Sequence, residues 1–263
     1  MSLSYSFYFN VFRQLLAAEF IVFKANFKDK IIDLFIWVGI TAAIMGYVMP
    51  AFGLAADYGV FQLAGLVASG GLFEVFPSVM NLVSDFEGDK QIDYQLILPV
   101  PSWLIMVKTA TFYALNAIIL GVSVIPMGKL VLWYQFDLTK INIIQTIAII
   151  IAISIFYGFF TLWLASRLEN TLKIGSVWCR VIFPLWFLGG FQFSWMVLHK
   201  LFPTFAYVNL INPMTYIMEG IRGALLGQEG YLNVWLCALA LAGFSLVFGL
   251  DSIRRLKKRL DYV

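Results

Sequence analysis

Six long apolar stretches alternate with short polar segments along the chain, and this pattern predicts its main elements. The hydrocarbon core of a bilayer requires a helix of about 20 mostly apolar residues. The stretches that reach this length are residues 31–50, 59–83, 103–127, 141–165, 174–198 and 231–250. We therefore predict an all-α integral membrane protein with six transmembrane helices, organised as one domain over residues 1–263.

Residues 1–28, ahead of the first predicted span, mix aromatic side chains with charged ones. Leu16, Phe20 and Phe23 recur at helical spacing, and basic residues accompany the aromatic ones. This combination is typical of an amphipathic helix that lies in the plane of the membrane interface. We predict such an interfacial helix here; an extension of the first span into the cytoplasm is the alternative.

A polar island, residues 84–101, separates the second and third predicted spans. Acidic residues in a first turn favour a helix because they complement its dipole, and proline ends a helix because it lacks the N–H donor. The sequence thus predicts a short helix over residues 87–96, stopped by Pro99 and Pro101. The charged residues of the island are Asp85, Glu87, Asp89, Lys90 and Asp93. We expect this helix to lie outside the hydrocarbon, where another protein can push it.

The segment 198–230, between the fifth and sixth predicted spans, is too polar to cross the membrane and too apolar for an ordinary loop. Asn212 supplies a helix N-cap and Pro213 suits the first helical position. A helix is therefore predicted over residues 214–226, closed by Gly227. We expect a re-entrant helical hairpin on the outer side. It should pack against the last two spans, because irregular backbone at membrane depth needs protein or water to cover it.

Composition and charge place this pattern in a membrane and give it a direction. The chain is 61% hydrophobic and 13% charged, whereas a soluble domain is about a quarter charged. Lysine and arginine concentrate before the first span, in the connections after the second and fourth spans, and in the C-terminal tail. Because basic residues stay on the cytoplasmic side, both termini and the polar island are predicted to be cytoplasmic. The expected location is the bacterial cytoplasmic membrane.

Several kinds of site are disfavoured by the sequence. Both cysteines, Cys179 and Cys237, lie in apolar runs, and His199 is the one histidine, so neither a disulfide framework nor a metal cluster is expected. The phosphate-binding pattern Gly-x-x-x-x-Gly-Lys-Ser/Thr does not occur in the sequence. We therefore expect no cofactor in this chain, no enzymatic activity of its own and no nucleic-acid partner.

Two motifs resemble those of a known family. The island sequence KQIDYQLILPVP, residues 90–101, is similar to the charged helix that runs into proline in the permease subunits of type-2 ABC exporters. A more specific match is FPLWFLGG at residues 183–190, followed by NPMTYIMEGIRGALLG at residues 212–227, which resembles the family signature ahead of the last span. The chain departs from the family at residues 90–93, where Lys-Gln-Ile-Asp replaces the frequent Gly-Thr-Leu-Glu.

The resemblance implies half of a transporter. Two permease copies, as a homodimer in membrane lipid, would form the pathway. Two cytoplasmic ABC ATPase subunits, holding ATP and Mg, would dock beneath and move the ATPase-coupling helix of the polar island. The implied activity is export of an amphipathic cargo: a drug, another small molecule or a lipid. A permease for polysaccharide or lipid-linked glycan is the alternative, and an intramembrane enzyme or a passive channel comes after it.

Charged residues inside or beside the predicted spans are candidates for the pathway or its gate: Glu74, Arg180, Glu219 and Arg222. An acid at membrane depth is a functional candidate because burying its charge is costly. Glu74 is expected to face the pathway, to pair with a basic group such as Arg180, or to be protonated. Arg180 can extend its guanidinium to the interface. Glu219 and Arg222 are three residues apart and can pair across a helical turn.

Overall fold

The computed structural model describes residues 5–88 and 90–260, and every regular element within them is helical. Helical segments long and apolar enough to cross a membrane are numbered as spans one to six in chain order. They are Tyr5–Phe52, Tyr58–Glu87, Ser102–Val131, Ile143–Arg167, Thr171–Phe191 and Val234–Arg259. The prediction of an all-α chain with six helices of membrane-spanning length is confirmed.

Span one differs from the prediction because it is one uninterrupted helix. Helix α1 runs through Tyr5–Ala43 and continues as a π-helical turn, Ile44–Val48, and a 3-10 turn, Met49–Phe52. The predicted boundary between an interfacial helix and the first span, near residue 28, is absent. Residues 5–38 contain no glycine or proline that could break the helix. The alternative, an extension of the first span, describes this segment; residues 1–4 lie outside the described residues.

Span two consists of helices α2, Tyr58–Gly70, and α3, Leu72–Glu87, which meet at Gly71. Gly71 is in tight contact with spans three and four. A Cβ atom there would lie 2.7 Å from both the Ala117 Cβ and the Tyr157 Cδ2, closer than van der Waals contact permits. Span two is therefore packed against its neighbours at the point where its helix is interrupted.

The short helix of the polar island begins later than predicted. Helix α4 is Gln91–Leu96, and Glu87 is the last residue of α3 instead of the first residue of α4. The chain turns between the two helices through Gly88 and Lys90, whose φ of 52° lies in the left-handed region. Asp89, between them, lies outside the described residues. The predicted start at residue 87 is wrong, and the predicted end at residue 96 is confirmed.

Spans three and four are helices α5, Ser102–Val131, and α6, Ile143–Arg167. Span five is segmented into a 3-10 turn, helix α7 (Ile174–Val177), a π-helical turn, helix α8 (Phe183–Trp186) and a second π-helical turn, Phe187–Phe191. It ends seven residues before the predicted boundary at residue 198, because Gly190 takes a positive φ of 94° inside its last turn. Left-handed backbone of this kind ends a helix and favours glycine.

Three helices, not a two-helix hairpin, connect spans five and six. They are α9, Trp195–Leu201, α10, Pro203–Asn209, and α11, Pro213–Leu226; helix α12, Val234–Leu260, then forms span six. The predicted start and end of α11 are confirmed: Asn212 Oδ1 accepts a hydrogen bond from the Met214 N–H at 2.9 Å, and Gly227 follows the helix with a φ of 105°. The re-entrant path of this segment in a bilayer stays a prediction.

Helix α11 is an interior element of the bundle. All of its residues from Pro213 to Leu225 are buried except Tyr216. It packs against α2, α6, α12 and the end of span five. Spans two and four fill the centre, while α1 packs on α5 and α2 at the side. The two charged clusters described next lie at the α4 end of this bundle and around α11.

Candidate functional site

The polar island is anchored to span two by a carboxylate. Asp85, in the last turn of α3, accepts hydrogen bonds from the backbone N–H groups of Gln91 at 2.8 Å and of Ile92 at 3.0 Å. These N–H groups belong to the first turn of α4, where no helical carbonyl is available to them. Asp85 thus caps α4 from the preceding helix, and this bond fixes the direction in which α4 leaves α3.

Glu87 connects the same island to span five. Its Oε2 accepts a hydrogen bond from the backbone N–H of Thr171 at 3.3 Å, and Thr171 is the first residue of span five. Arg259 of α12 donates to the Leu168 carbonyl at 2.7 Å, in the connection just before span five. Its guanidinium also lies 4.9 Å from the ring centroid of Phe86. The ends of spans two, four, five and six therefore contact one another beside α4.

Helix α4 also carries an exposed surface that includes apolar side chains. Tyr94 is 70% exposed and Ile97 is 78% exposed, and Lys90 beside them is exposed as well. Tyr94 and Ile97, the helical residue and the C-cap three positions later, lie on one side of the helix, and Lys90 precedes its first turn. Asp93, by contrast, is only half exposed. Tyr94 and Ile97 were not predicted from the sequence; large apolar residues among charged ones in a short helix outside the spans were the available signal.

A buried arginine closes the end of span five. Arg222 of α11 is fully buried, and its guanidinium donates to the carbonyls of Gly190 at 2.7 Å, Phe191 at 2.9 Å and Phe193 at 3.1 Å. These carbonyls receive no hydrogen bond from a helical N–H, because the helix ends there. The guanidinium carbon lies 3.6 Å from the ring centroid of Phe61 in α2. Arg222 therefore donates hydrogen bonds to the free carbonyls at the end of span five while its guanidinium stacks on Phe61 of span two.

Glu219, also of α11, is buried beside this arginine. Its carboxylate accepts from the N–H of Trp195 at 2.9 Å, at the start of α9, and from the N–H of Leu232 at 3.2 Å, ahead of α12. Glu219 Oε1 lies 3.9 Å from Arg222 Nη1. The two charges expected to pair across a turn are therefore adjacent. Together they fasten span five, α9 and the start of span six to α11.

Glu74 has a different partner from the one suggested by the sequence. It forms an ion pair with Lys30 of α1 and not with Arg180. A second ion pair joins Glu19 of α1 to Lys108, which is fully buried in span three. This second pair was missed because the positive-charge pattern placed Lys108 with the cytoplasmic basic residues. Its position two turns inside span three was the available signal.

Arg180 differs from the other three charged candidates. It is exposed, lies in the π-helical turn Trp178–Ile182, and forms no ion pair within the part of the chain that the structure describes. Asp33, of opposite charge, is likewise exposed in span one and without an ion pair among the described residues. Glu74, Glu219 and Arg222 are paired inside the chain, whereas these two charges face outward from the bundle.

Two clefts complete the geometry. One, of about 560 Å³, lies beside α11 and is lined by residues that include Asp57, Gln135, Glu229 and Tyr231. Burial raises the pKa of the Tyr231 phenol. The second, of about 520 Å³, lies between α1, α3, α4 and α5 and is called the α4 cleft below. Within residues 5–88 and 90–260, no three histidine, cysteine or acidic side chains lie close enough to hold a metal ion.

Comparison with known proteins identifies the family. A family model described as ABC-2 type transporter matches residues 10–226, from the first turns of α1 to the last residue of α11. No curated protein matches the chain. The match covers most of the chain and includes α4, both ion pairs of α1 and the Glu219–Arg222 cluster. The chain therefore belongs to the ABC-2 type transporter family, as a transmembrane permease subunit.

Proposed function

We propose that this permease exports an amphipathic cargo, a drug or another small molecule or a lipid, using ATP hydrolysed by a separate subunit. The observation that carries the proposal is α4: a short helix between spans, held by hydrogen bonds at one side and exposing Lys90, Tyr94 and Ile97 at the other. Exposed apolar side chains grouped on a surface mark a protein-interaction site.

Helix α4 is well placed to transmit force from an ATPase that contacts it. Asp85 ties it to span two, and Glu87 ties the adjoining turn to span five. A displacement of α4 would therefore reach two spans at once. We assign Lys90 and Asp93, with Asp89 outside the described residues, to the same coupling element. ATP and Mg belong to the partner, in two copies for a dimeric permease.

In a homodimer, the charges that face outward from one subunit would be shielded from the lipid hydrocarbon. A charged side chain exposed to hydrocarbon costs several kcal/mol, and Arg180 and Asp33 are both exposed on this subunit. We propose that a second copy and the pathway between the copies cover these faces. Glu74, Glu219 and Arg222 then act through the packing of the subunit, since their charges are already paired inside it.

The orientation follows from the distribution of basic residues. The α4 end carries the N-terminal and C-terminal basic clusters, so we place that end and both termini in the cytoplasm. The membrane is then the bacterial cytoplasmic membrane. Export of a polysaccharide or lipid-linked glycan is the second candidate. The cleft beside α11 favours it, because its tyrosines, amides and carboxylates can bond to hydroxyl groups.

Transport by proteoliposomes tests the proposal. The permease is reconstituted with an ABC ATPase subunit that copurifies with it, and ATP-dependent movement of a fluorescent drug and of a fluorescent lipid is measured. Movement is expected only with both subunits and ATP. Reversal of Glu87 and Asp89 to lysine should leave insertion intact and uncouple ATP hydrolysis from transport. Lys200→Glu, a charge reversal at an exposed position of α9 at the other end of the bundle, is the matched control. Movement without the ATPase, or normal transport by the double reversal, would refute the proposal.

A further inference from the structure

The α4 cleft is open on one side and has both a polar and an apolar wall. Its polar wall contains Glu19 of α1, Asp85 of α3 and Gln95 of α4. Its apolar wall contains Val22 and Phe112, and Val22 is 64% exposed, so the cleft opens beside α1. A volume of about 520 Å³ lies within the range of about 300–1,000 Å³ that small-molecule sites occupy. The cleft can therefore admit a small amphiphile.

The polar wall accepts hydrogen bonds, and Asp85 gives it a negative charge that no ion pair among the described residues neutralises, whereas Glu19 is paired with Lys108. Two carboxylates line the cleft, whereas no lysine or arginine among the described residues does. One oxygen of Glu19 is engaged by Lys108, and Asp85 already accepts from the backbone of α4. A phosphate or carboxylate ligand would meet like charge here. A ligand with a positive charge and N–H donors would meet complementary groups.

One acceptor in this wall has no donor. The Oε1 atom of Gln95 is buried, and no hydrogen-bond donor of the described residues reaches it. An unsatisfied buried acceptor is unfavourable. Because Gln95 lines the cleft, rotation of its side-chain amide would bring Oε1 to a donor bound there. Gln95 belongs to α4, while Glu19 and Asp85 belong to α1 and α3. A donor bound between them would bridge α4 to two other helices.

We propose that the α4 cleft binds a primary ammonium group attached to an apolar body. The ammonium would donate its three N–H bonds to the acceptors of the polar wall, with the Gln95 carbonyl as one of them. The apolar body would lie along Val22 and Phe112 and leave the cleft beside α1. The inference concerns binding alone; its consequence for coupling rests on the proposed role of α4. The ammonium can come from a lipid headgroup or from a free amphiphilic amine.

Native mass spectrometry of the delipidated, full-length permease tests the inference without any ATPase. The probes are dodecylamine, N-acetyl-dodecylamine, short-chain phosphatidylethanolamine and phosphatidylglycerol. One equivalent of dodecylamine is expected to bind, and its acetylated form, which lacks the charge, should bind at least about tenfold more weakly. Binding of phosphatidylethanolamine but not phosphatidylglycerol would assign the ammonium to a lipid. Binding of dodecylamine alone would assign it to a free amine.

Three variants separate this site from general adsorption. Gln95→Leu should weaken dodecylamine binding about tenfold, the loss of one hydrogen bond to a charged group. Gln95→Glu should strengthen it, because it adds a carboxylate to the same wall. Gln14→Leu, an exposed position on α1 outside the cleft, should change nothing. Equal binding by wild type, Gln95→Leu and Gln95→Glu, or equal binding of the charged and acetylated probes, would overturn the inference, whatever the outcome of the transport assay.

Discussion

Replacement of Arg222 by methionine should destabilise the permease strongly, because this guanidinium is fully buried in the bundle. The change removes the donors for three carbonyls at the end of span five and leaves Glu219 buried beside an apolar side chain. Removing one partner of a buried ion pair typically costs about 3–5 kcal/mol. Each carbonyl that loses its donor and is not reached by water lowers the free energy of unfolding by a further amount of about 1–3 kcal/mol. We expect a loss of about 4 kcal/mol or more.

The assay is equilibrium unfolding in mixed micelles, followed by tryptophan fluorescence, with a matched control. Arg254→Met removes an arginine of α12 that is exposed and has no ion pair among the described residues, so the free energy of unfolding should change by no more than about 0.5 kcal/mol. Arg222→Lys keeps the charge but loses the several N–H donors of the planar guanidinium. Its free energy of unfolding should therefore lie between those of the other two variants. The double variant Arg222→Met with Glu219→Leu should recover part of the loss, because neither charge is then left alone. Equal stability of Arg222→Met and Arg254→Met would refute this reasoning.

Three further predictions concern other contacts. Glu19→Gln leaves Lys108 buried without its partner and should lower the unfolding midpoint strongly, whereas the double variant with Lys108→Met should restore part of it; an unchanged midpoint for the single variant would contradict this. Asp85→Ala removes the cap of α4, worth about 1 kcal/mol, so amide exchange in α4 should become about fivefold faster; unchanged exchange would contradict the capping role. Arg180→Gln should reduce transport in proteoliposomes without loss of folding, and full transport would exclude Arg180 from the pathway.

Elements defined by local signals were predicted well from the sequence. Hydropathy identified all six spans because each needs a long apolar run, whatever it packs against. Helix α11 was placed within one residue because Asn212, Pro213 and Gly227 act on the backbone next to them. Helix α4 was predicted with the correct end and the wrong start. Its acidic residues suggested a first turn at residue 87, but Gly88 and a left-handed Lys90 separate it from α3.

Contacts between distant residues were not predictable in the same way. Lys30 and Glu74 are 44 positions apart, and Glu19 and Lys108 are 89 positions apart. Neither pair has a local signature, because each depends on how α1 packs against spans two and three. The continuity of α1 was missed for a related reason. The mixed aromatic and charged composition of residues 1–28 suggested a helix at the water interface, whereas Glu19 and the following Lys30 are paired with charges of the bundle.

Our central proposal is that a separate ATPase contacts α4 and transmits conformational change to this subunit through it. Its most direct measurement is cysteine crosslinking between Tyr94→Cys, on the exposed side of α4, and the ATPase subunit in native membranes, in a background with Cys179 and Cys237 replaced by serine and alanine. Tyr134→Cys, a 94% exposed tyrosine at the other end of the bundle, is the control. The account predicts a crosslink from position 94 whose yield changes with ATP, and none from position 134. A crosslink from position 134 and none from position 94 would contradict it.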